Sequence, residues 1–321
     1  MPVDMVPGVR GDKSADKQQD GGLSSMTVDP QAELKNLTPK HDFLVAIDSD
    51  GCAFDTMEIK HKECFIPNII KYWGLQAVSK YAREVAEFVN LYSKWRGINR
   101  FPALLMTFDL LAERPEVQKR GVKIPQVPSL REWSSKETKL GNPALQEAVN
   151  RTNDPVLAQA LAWSKSVNAS IEDIVHGVPP YPYVRESLGK LAKFADIVIV
   201  SATPYAALKR EWEEHVLAKL VFVIAGQEMG TKKQHIQLAN QGRYRNDHIL
   251  MIGDAPGDMG AARANKALFF PVNPGSEEKS WELFYNEACD RFLSGAYAGA
   301  YEANLIAEFE KVLPEIPPWK R

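Results

Sequence analysis

Leu44-Val45-Ala46-Ile47-Asp48-Ser49-Asp50-Gly51-Cys52-Ala53-Phe54-Asp55-Thr56 is the stretch on which the fold turns. Four apolar residues run directly into turn-forming ones, the pattern of a strand buried on both faces of a parallel sheet. The first residues past its carboxyl end include Asp48 and Asp50, and in open α/β sheets ligands gather at that end. Period-two geometry places both aspartates on one side if the strand persists. Two carboxylates about 4 Å apart repel by roughly 1–4 kcal/mol, depending on the dielectric. Such an arrangement is kept where a cation, a proton or a reaction needs it. Without chemistry, the same residues are a strand-to-loop turn with Asx capping.

Further apolar runs predict strands at Leu44–Ile47, Ile197–Val200, Val221–Ala225, Ile249–Ile252 and Leu268–Val272. Helical patterns separate them: Val184, Leu188 and Leu191 repeat at helix spacing, and Leu208, Trp212 and Val216 follow Pro204, placed as a first-turn proline. Strand–helix alternation of this kind predicts an α/β fold with a doubly wound parallel sheet. Between Asp55 and His176 the pattern is helical throughout, with stretches around Ile59–Trp73, Tyr81–Tyr92, Pro102–Leu111 and Pro155–Ser166. That interval reads as an all-helical domain, residues 56–176, inserted after the first strand. Gly177-Val178-Pro179-Pro180-Tyr181-Pro182 is a stiff return linker suited to a hinge. The core domain is then 41–55 with 177–321. Residues 1–40, polar and without periodicity, read as a flexible extension.

Three other strand ends carry chemistry-bearing residues. Ser201-Ala202-Thr203-Pro204 follows a buried run and precedes a helix, so a hydroxyl and free amides there can cradle an anion. Ser201 and Thr203 are equally ordinary as turn and N-cap residues. In Gly230-Thr231-Lys232-Lys233-Gln234-His235-Ile236 a lysine opens a helix, where the macrodipole disfavours it unless an anion is near. Lys232 is the inward-pointing choice, because Ile236 four positions later marks the buried face; Lys233 is the alternative. Ile249-Leu250-Met251-Ile252-Gly253-Asp254-Ala255-Pro256-Gly257-Asp258 again ends a strand in a carboxylate, with Asp258 at the mouth of the next helix, where it can also cap. A dinucleotide loop is excluded, since two aspartates there would repel a pyrophosphate.

The net charge of −2 gives no reason to expect nucleic-acid binding. The 3 cysteines, Cys52, Cys64 and Cys289, lack metal or disulfide spacing and fit reduced thiols in a cytoplasmic protein. No apolar run approaches a membrane span. Oligomeric state is not legible.

Together the four segments resemble the haloacid dehalogenase (HAD) superfamily of aspartate-nucleophile phosphotransferases, over roughly Phe43 to Val272. The matching pattern is Asp48-x-Asp50-Gly51-x-x-x-Asp55-Thr56, then Ser201, then Lys232, then Gly253-Asp254-x-x-x-Asp258. The helical insertion looks like that family's C1-type cap on a Rossmann-like core. Many members carry Lys-Pro at the third motif, where this chain has Thr231-Lys232-Lys233. The resemblance implies Mg²⁺ held by the side chains of Asp48 and Asp254 and the backbone carbonyl of Asp50, with Asp258 acting through a water. Such a hard cation suits the concentration of carboxylates.

On that basis the expected function is Mg²⁺-dependent hydrolysis of a phosphate monoester of a small metabolite. Asp48 would form an aspartyl phosphate, and Asp50, kept partly protonated by its acidic neighbours, would be general acid and base. Ser201, the Ala202 amide and Lys232 would hold the phosphoryl oxygens. An aspartate at position 50 favours esters over haloacids, which need no leaving-group acid. Arg96 and Arg100, four apart in Trp95-Arg96-Gly97-Ile98-Asn99-Arg100, are similar to a Gly-x-x-Arg element of some capped relatives. They are expected to share a helix face and clamp a second anionic group; an exposed basic edge is the plain alternative. Lys60 and His61 are further candidates near the first hinge. A phosphomutase, or a non-catalytic phosphate-binding protein on the same scaffold, are the competing readings.

Overall fold

The computed structural model describes residues 29–320. Its sheet has five parallel strands, β1 (Phe43–Ile47), β2 (Ala195–Val200), β3 (Val223–Ala225), β4 (Ile249–Gly253) and β5 (Leu268–Pro271), in the order β3-β2-β1-β4-β5. The central β1 is buried on both faces: Val45 and Ile47 join one apolar cluster with Ile197, Ile199, Leu250 and Trp212, while Leu44 and Ala46 join another with Val198, Val200 and Met251. Period-two alternation in a run without polar residues feeds both clusters, so the run is continuous rather than alternating. The fold is α/β with a doubly wound parallel sheet.

Residues 29–40 differ from the expected flexible extension. Helix α1 (Ala32–Lys35) and the following turn bury Leu34 and Leu37 at 0% and 3% exposure in the cluster beneath β1 and β3. Two apolar residues three apart are too few to show as periodicity among polar neighbours, yet they suffice to pin a segment once the sheet offers a face. Lys40 and His41 donate backbone N–H groups to the buried Asp196 carboxylate at 2.9 and 3.3 Å. The remainder of the expected extension, residues 1–28, lies outside the described residues.

From residue 56 to residue 176 every regular element is helical: α2 (Thr56–Ile59), a π-helical turn at Lys60–Phe65, α3 (Ile66–Tyr72), a 3-10 turn at Gln76–Val78, α4 (Ser79–Asn90), α5 (Arg100–Ala112), α6 (Pro115–Lys119), α7 (Pro128–Lys136), α8 (Asn142–Thr152) and α9 (Pro155–Ile174). They enclose their own apolar cluster, built around Trp73, Phe101, Phe108, Trp133 and Trp163. The chain leaves the sheet and returns to it side by side. Tyr181 donates its backbone N–H to Ala53 O at 3.0 Å and its hydroxyl to Asp55 at 2.9 Å.

The remaining helices are α10 (Val184–Leu191), α11 (Tyr205–Glu214), α12 (Lys232–Asn240), α13 (Pro256–Ala264), α14 (Glu277–Leu283), α15 (Cys289–Leu293) and α16 (Ala300–Val312). Pro204 is the N-cap residue of α11, with extended backbone, rather than its first helical residue. Among the described residues no helix is long and apolar enough to cross a membrane.

Candidate active site

β1 and β4 are neighbours in register, Ile47 opposite Ile252, so the residues that follow them emerge side by side. Asp48 donates its backbone N–H to Ile252 O at 3.0 Å, and Asp254 lies two residues beyond that carbonyl. Asp48, Asp254 and Asp258 each bring a carboxylate oxygen within 4.8 Å of the others, and all three are buried. Gly253 allows the third to join: a Cβ built there would stand 2.4 Å from Cβ of Asp258. With that space open, Asp258 folds back and accepts N–H bonds from Asp254 and Ala255 at 3.2 and 3.1 Å, capping α13 while presenting its other oxygen to the cluster.

Lys232 supplies the counter-charge. Thr231 caps α12 through a reciprocal bond with Gln234, which makes Lys232 the first helical residue. Its Nζ stands 2.7 Å from Oδ2 of Asp48 and 2.6 Å from Oδ1 of Asp258. Burial opposes the lysine's charge, but Asp258 and Asp48 outweigh it and raise its pKa. Lys233 is exposed, and its carbonyl accepts from Asn265. Burial, with the charges of Asp258 and Asp254, pushes the Asp48 carboxyl well above the usual range against the pull of Lys232.

Three buried carboxylates against Lys232 and, on Asp254, Arg96 still leave negative charge for a hard, oxygen-seeking cation to offset. Oδ1 of Asp254 is buried and without a hydrogen-bond partner among the described residues. An acceptor in that condition is costly unless something fills it, so the donor set and the orphaned oxygen fit a divalent cation. Asp48, Asp254 and Asp258 are the residues whose side chains would hold it.

Asp50 lies apart from that cluster in its side-chain contacts. It accepts from Lys60, from Thr56 Oγ1 at 2.5 Å and from Thr203 Oγ1 at 2.7 Å. Burial favours the neutral acid, but Lys60 and the two hydroxyls prevail and hold Asp50 down at about 2. The expected partial protonation of Asp50 is therefore corrected: its immediate neighbour is a lysine, and the other carboxylates are not. Gly51, with φ of +73°, turns the chain here, and a Cβ on it would meet Nη2 of Arg96 at 2.5 Å.

Arg96 is buried beside Asp254, its Nε donating to Oδ2 at 2.6 Å and its Nη1 to Leu91 O at 2.9 Å. Arg100 does not accompany it. Asn99 caps α5 through the Phe101 N–H, so the helix begins at Arg100 and Arg96 belongs to the preceding turn. Arg100 spends its Nη1 donors on Ser164 and Asn168 of α9, within the helical block. The expected shared helix face and two-arginine clamp are corrected accordingly.

Ser201 is buried, with its Oγ accepting the Thr203 N–H at 3.1 Å, and Ala202 is exposed. No hydrogen bond or ion pair among the described residues joins either to the acidic cluster. Thr203, read from sequence only as a turn residue, is the member of that loop that reaches Asp50. Thr56 closes the first motif and signals itself by position. Ser49 Oγ donates to Glu211 at 2.9 Å and accepts from Trp212 at 3.0 Å, bracing the loop between Asp48 and Asp50. Burial and the nearby Asp50 raise Glu211 to about 7. A cleft of about 40 Å³ adjoins Asp50, lined by Thr56, Lys60, Thr203, Arg210, Glu211 and His215 among others.

No protein-family model matches this sequence, and no curated protein matches it. Solved structures similar to it include haloacid dehalogenase-like hydrolases and a predicted phosphoglycolate phosphatase. One, from Streptococcus pneumoniae, is 14% identical with a TM-score of 0.40, covering 76% of this chain and 90% of its own. Another, from Xanthomonas campestris, is 12% identical with a TM-score of 0.43, covering 81% and 95%. A third, described as a predicted phosphoglycolate phosphatase from Haemophilus somnus, is 13% identical with a TM-score of 0.45, covering 73% and 86%.

Proposed function

We propose that this chain is a haloacid dehalogenase-type phosphohydrolase that cleaves a phosphate monoester of a small metabolite with the help of Mg²⁺. One observation carries the reading: three buried carboxylates from the segments that follow two adjacent parallel strands lie within 4.8 Å of one another, two of them on a lysine at a helix start. Bound there, the cation would offset carboxylate and phosphoryl charge.

Asp48 is the nucleophile. It attacks phosphorus in line, forming an aspartyl phosphate as the ester oxygen departs. Lys232 Nζ, already 2.7 Å from the Asp48 carboxylate, is placed to follow the phosphoryl oxygens as charge develops. Asp50 handles protons. Held ionised by Lys60, it suits the second half-reaction, in which it takes a proton from the water that hydrolyses the aspartyl phosphate. In the first half-reaction Asp50 passes a proton taken up from solvent to the leaving oxygen, and the proton gained from the attacking water in the second replaces it. Thr56 and Thr203 keep the Asp50 carboxylate aimed through both halves. Ser201 and the Ala202 amide remain proposed phosphoryl-oxygen donors.

In this reading residues 56–176 are the cap, and the sheet with its flanking helices is the core. The cleft beside Asp50, about 40 Å³, is well below the ~300–1,000 Å³ of ligand pockets. In this reading a metabolite enters when the helical block moves away, and the block's return excludes water.

The test is release of inorganic phosphate from a panel of phosphorylated metabolites, with and without Mg²⁺, using the full chain and Asp48→Asn as the blank. Cation-dependent release by the native chain alone supports the reading. Equal release by Asp48→Asn, or a folded protein that releases none from any ester, overturns it. A requirement for a bisphosphate activator would assign the chain to the mutases instead.

A further inference from the structure

Helix α16 belongs to the sheet. Phe309 packs edge-on against Phe269 of β5 at 5.7 Å, and Phe309 and Leu313 are buried in the cluster that contains Leu44 and Met251. The next residues leave the sheet and run over the helical block. Pro314 O accepts the Lys94 backbone N–H at 3.3 Å, and Lys94 Nζ stands 2.6 Å from Glu315. Trp319 meets the Phe88 ring edge-on at 5.5 Å, lies 4.6 Å beneath the Arg114 guanidinium, and packs against the apolar cluster of that block. Lys320 pairs with Glu113.

These contacts converge on one turn. Phe88 also meets Trp95 edge-on at 6.1 Å, so a row of rings runs from Trp319 through Phe88 to the residue beside Arg96. Lys94, held by Pro314 and Glu315, lies two positions before Arg96. Arg96 in turn holds Oδ2 of Asp254 at 2.6 Å, with 3% of the arginine and 1% of the aspartate exposed.

We infer that residues 314–320 are a brace, with Trp319 the positioning residue that keeps the Arg96 turn seated on Asp254. Covalently, the helical block is joined to the sheet by the two chain crossings near Phe54 and Tyr181, which lie together on one side. A third connection at a different point converts a swing about that paired crossing into a restrained motion. The exposed ion pairs of Glu315 and Lys320 contribute little by themselves. Trp319 is the anchor, because its ring buries against Phe88 and Arg114.

Backbone hydrogen exchange reads the brace directly, whether or not the chain hydrolyses phosphate esters, so its failure is separable from failure of the proposed function. In Trp319→Ala, and in a chain ending at Leu313, exchange over residues 91–99 is expected to accelerate about 10-fold or more, while β1 and β4 keep their native rates. Trp319→Phe, which retains an aromatic ring, is expected to restore most of the protection. Unchanged exchange over 91–99 in Trp319→Ala overturns the inference. So does equal acceleration in β1 and β4, which would mean general loss of stability. If the shortened chain does not fold, the two point variants decide the matter.

Discussion

Lys232 and Asp48 lie 184 positions apart in the sequence and meet at 2.7 Å, one opening a helix and the other directly following a strand. Each explains the other. A lysine at the positive end of a helix is tolerated beside carboxylates, and a buried carboxylate cluster is tolerated beside a lysine.

Lys232→Ala should lower kcat about 100- to 1,000-fold, the scale for losing one preorganised electrostatic group. Lys233→Ala, altering an exposed side chain, should leave kcat within a few-fold. Steady-state kinetics on any ester the native chain turns over gives the comparison, and a larger loss at position 233 would transfer the role.

Mg²⁺ should stabilise the folded chain. At a concentration 100 times its Kd, a ligand bound only by the native state adds about 2.7 kcal/mol. Calorimetric melting with and without Mg²⁺ should show a raised Tm. Asp254→Asn should abolish that shift. It should also lower the metal-free Tm, because removing one partner of a buried pair costs about 3–5 kcal/mol and Arg96 would be left without its carboxylate. A Tm in Asp254→Asn that still responds to Mg²⁺ would place the cation elsewhere.

Lys60→Met should raise the Asp50 pKa from about 2, since burial favours the neutral acid and Lys60 is the main influence opposing it. The sign for stability follows. Asp50 is depressed relative to its ordinary 3.8, so its contribution is complete above that value and is lost as pH falls through about 2. In Lys60→Met that contribution shrinks or reverses, and the acid limb of the kcat profile moves toward neutral pH. A pH–rate profile identical to the native one would remove Lys60 from the proton-handling pair.

His61 and His235 should make the fold sensitive to mild acid. Burial, and then neighbouring positive charge from Arg96 on the first and Lys232 on the second, hold them down to about 3 and about 4. Both are neutral when folded and titrate at 6.5 when unfolded, so stability is complete above 6.5 and declines as pH falls toward those lower values. Each contributes up to about 1.4 kcal/mol per pH unit within its window. Urea unfolding at pH 7, 6 and 5 measures the slope, which should be shallower in His61→Gln.

Of the candidate site, Asp48 and Asp254 were legible because each follows an apolar run, and a buried strand announces both its length and the face on which the next residues emerge. Asp48 and Asp254 needed nothing more to be paired than the inference that their strands are parallel. Lys232 was legible through Ile236, which marks the buried side of its helix. Lys60 and Thr203 were not legible as partners of Asp50. Lys60 reaches it from a π-helical turn whose extra residue shifts the side-chain register, and Thr203 reaches it from a loop whose residues also serve as ordinary turn formers. Arg96 and Arg100 looked like a helical pair until the Asn99 cap put the helix start between them. Leu34 and Leu37 gave too short a pattern to separate a packed segment from a free one.

The amino-acid order alone therefore determined the parallel sheet, the long helical interval and the acidic strand ends, since these follow from local periodicity and from where it stops. Only the tertiary structure decided which charges meet: Arg96 with Asp254, Lys60 with Asp50, and the segment around Trp319 with the turn that carries Arg96. The physical reason is that an ion pair or an aromatic contact imposes no period on the chain. It is specified by two distant residues whose separation is set by everything folded between them.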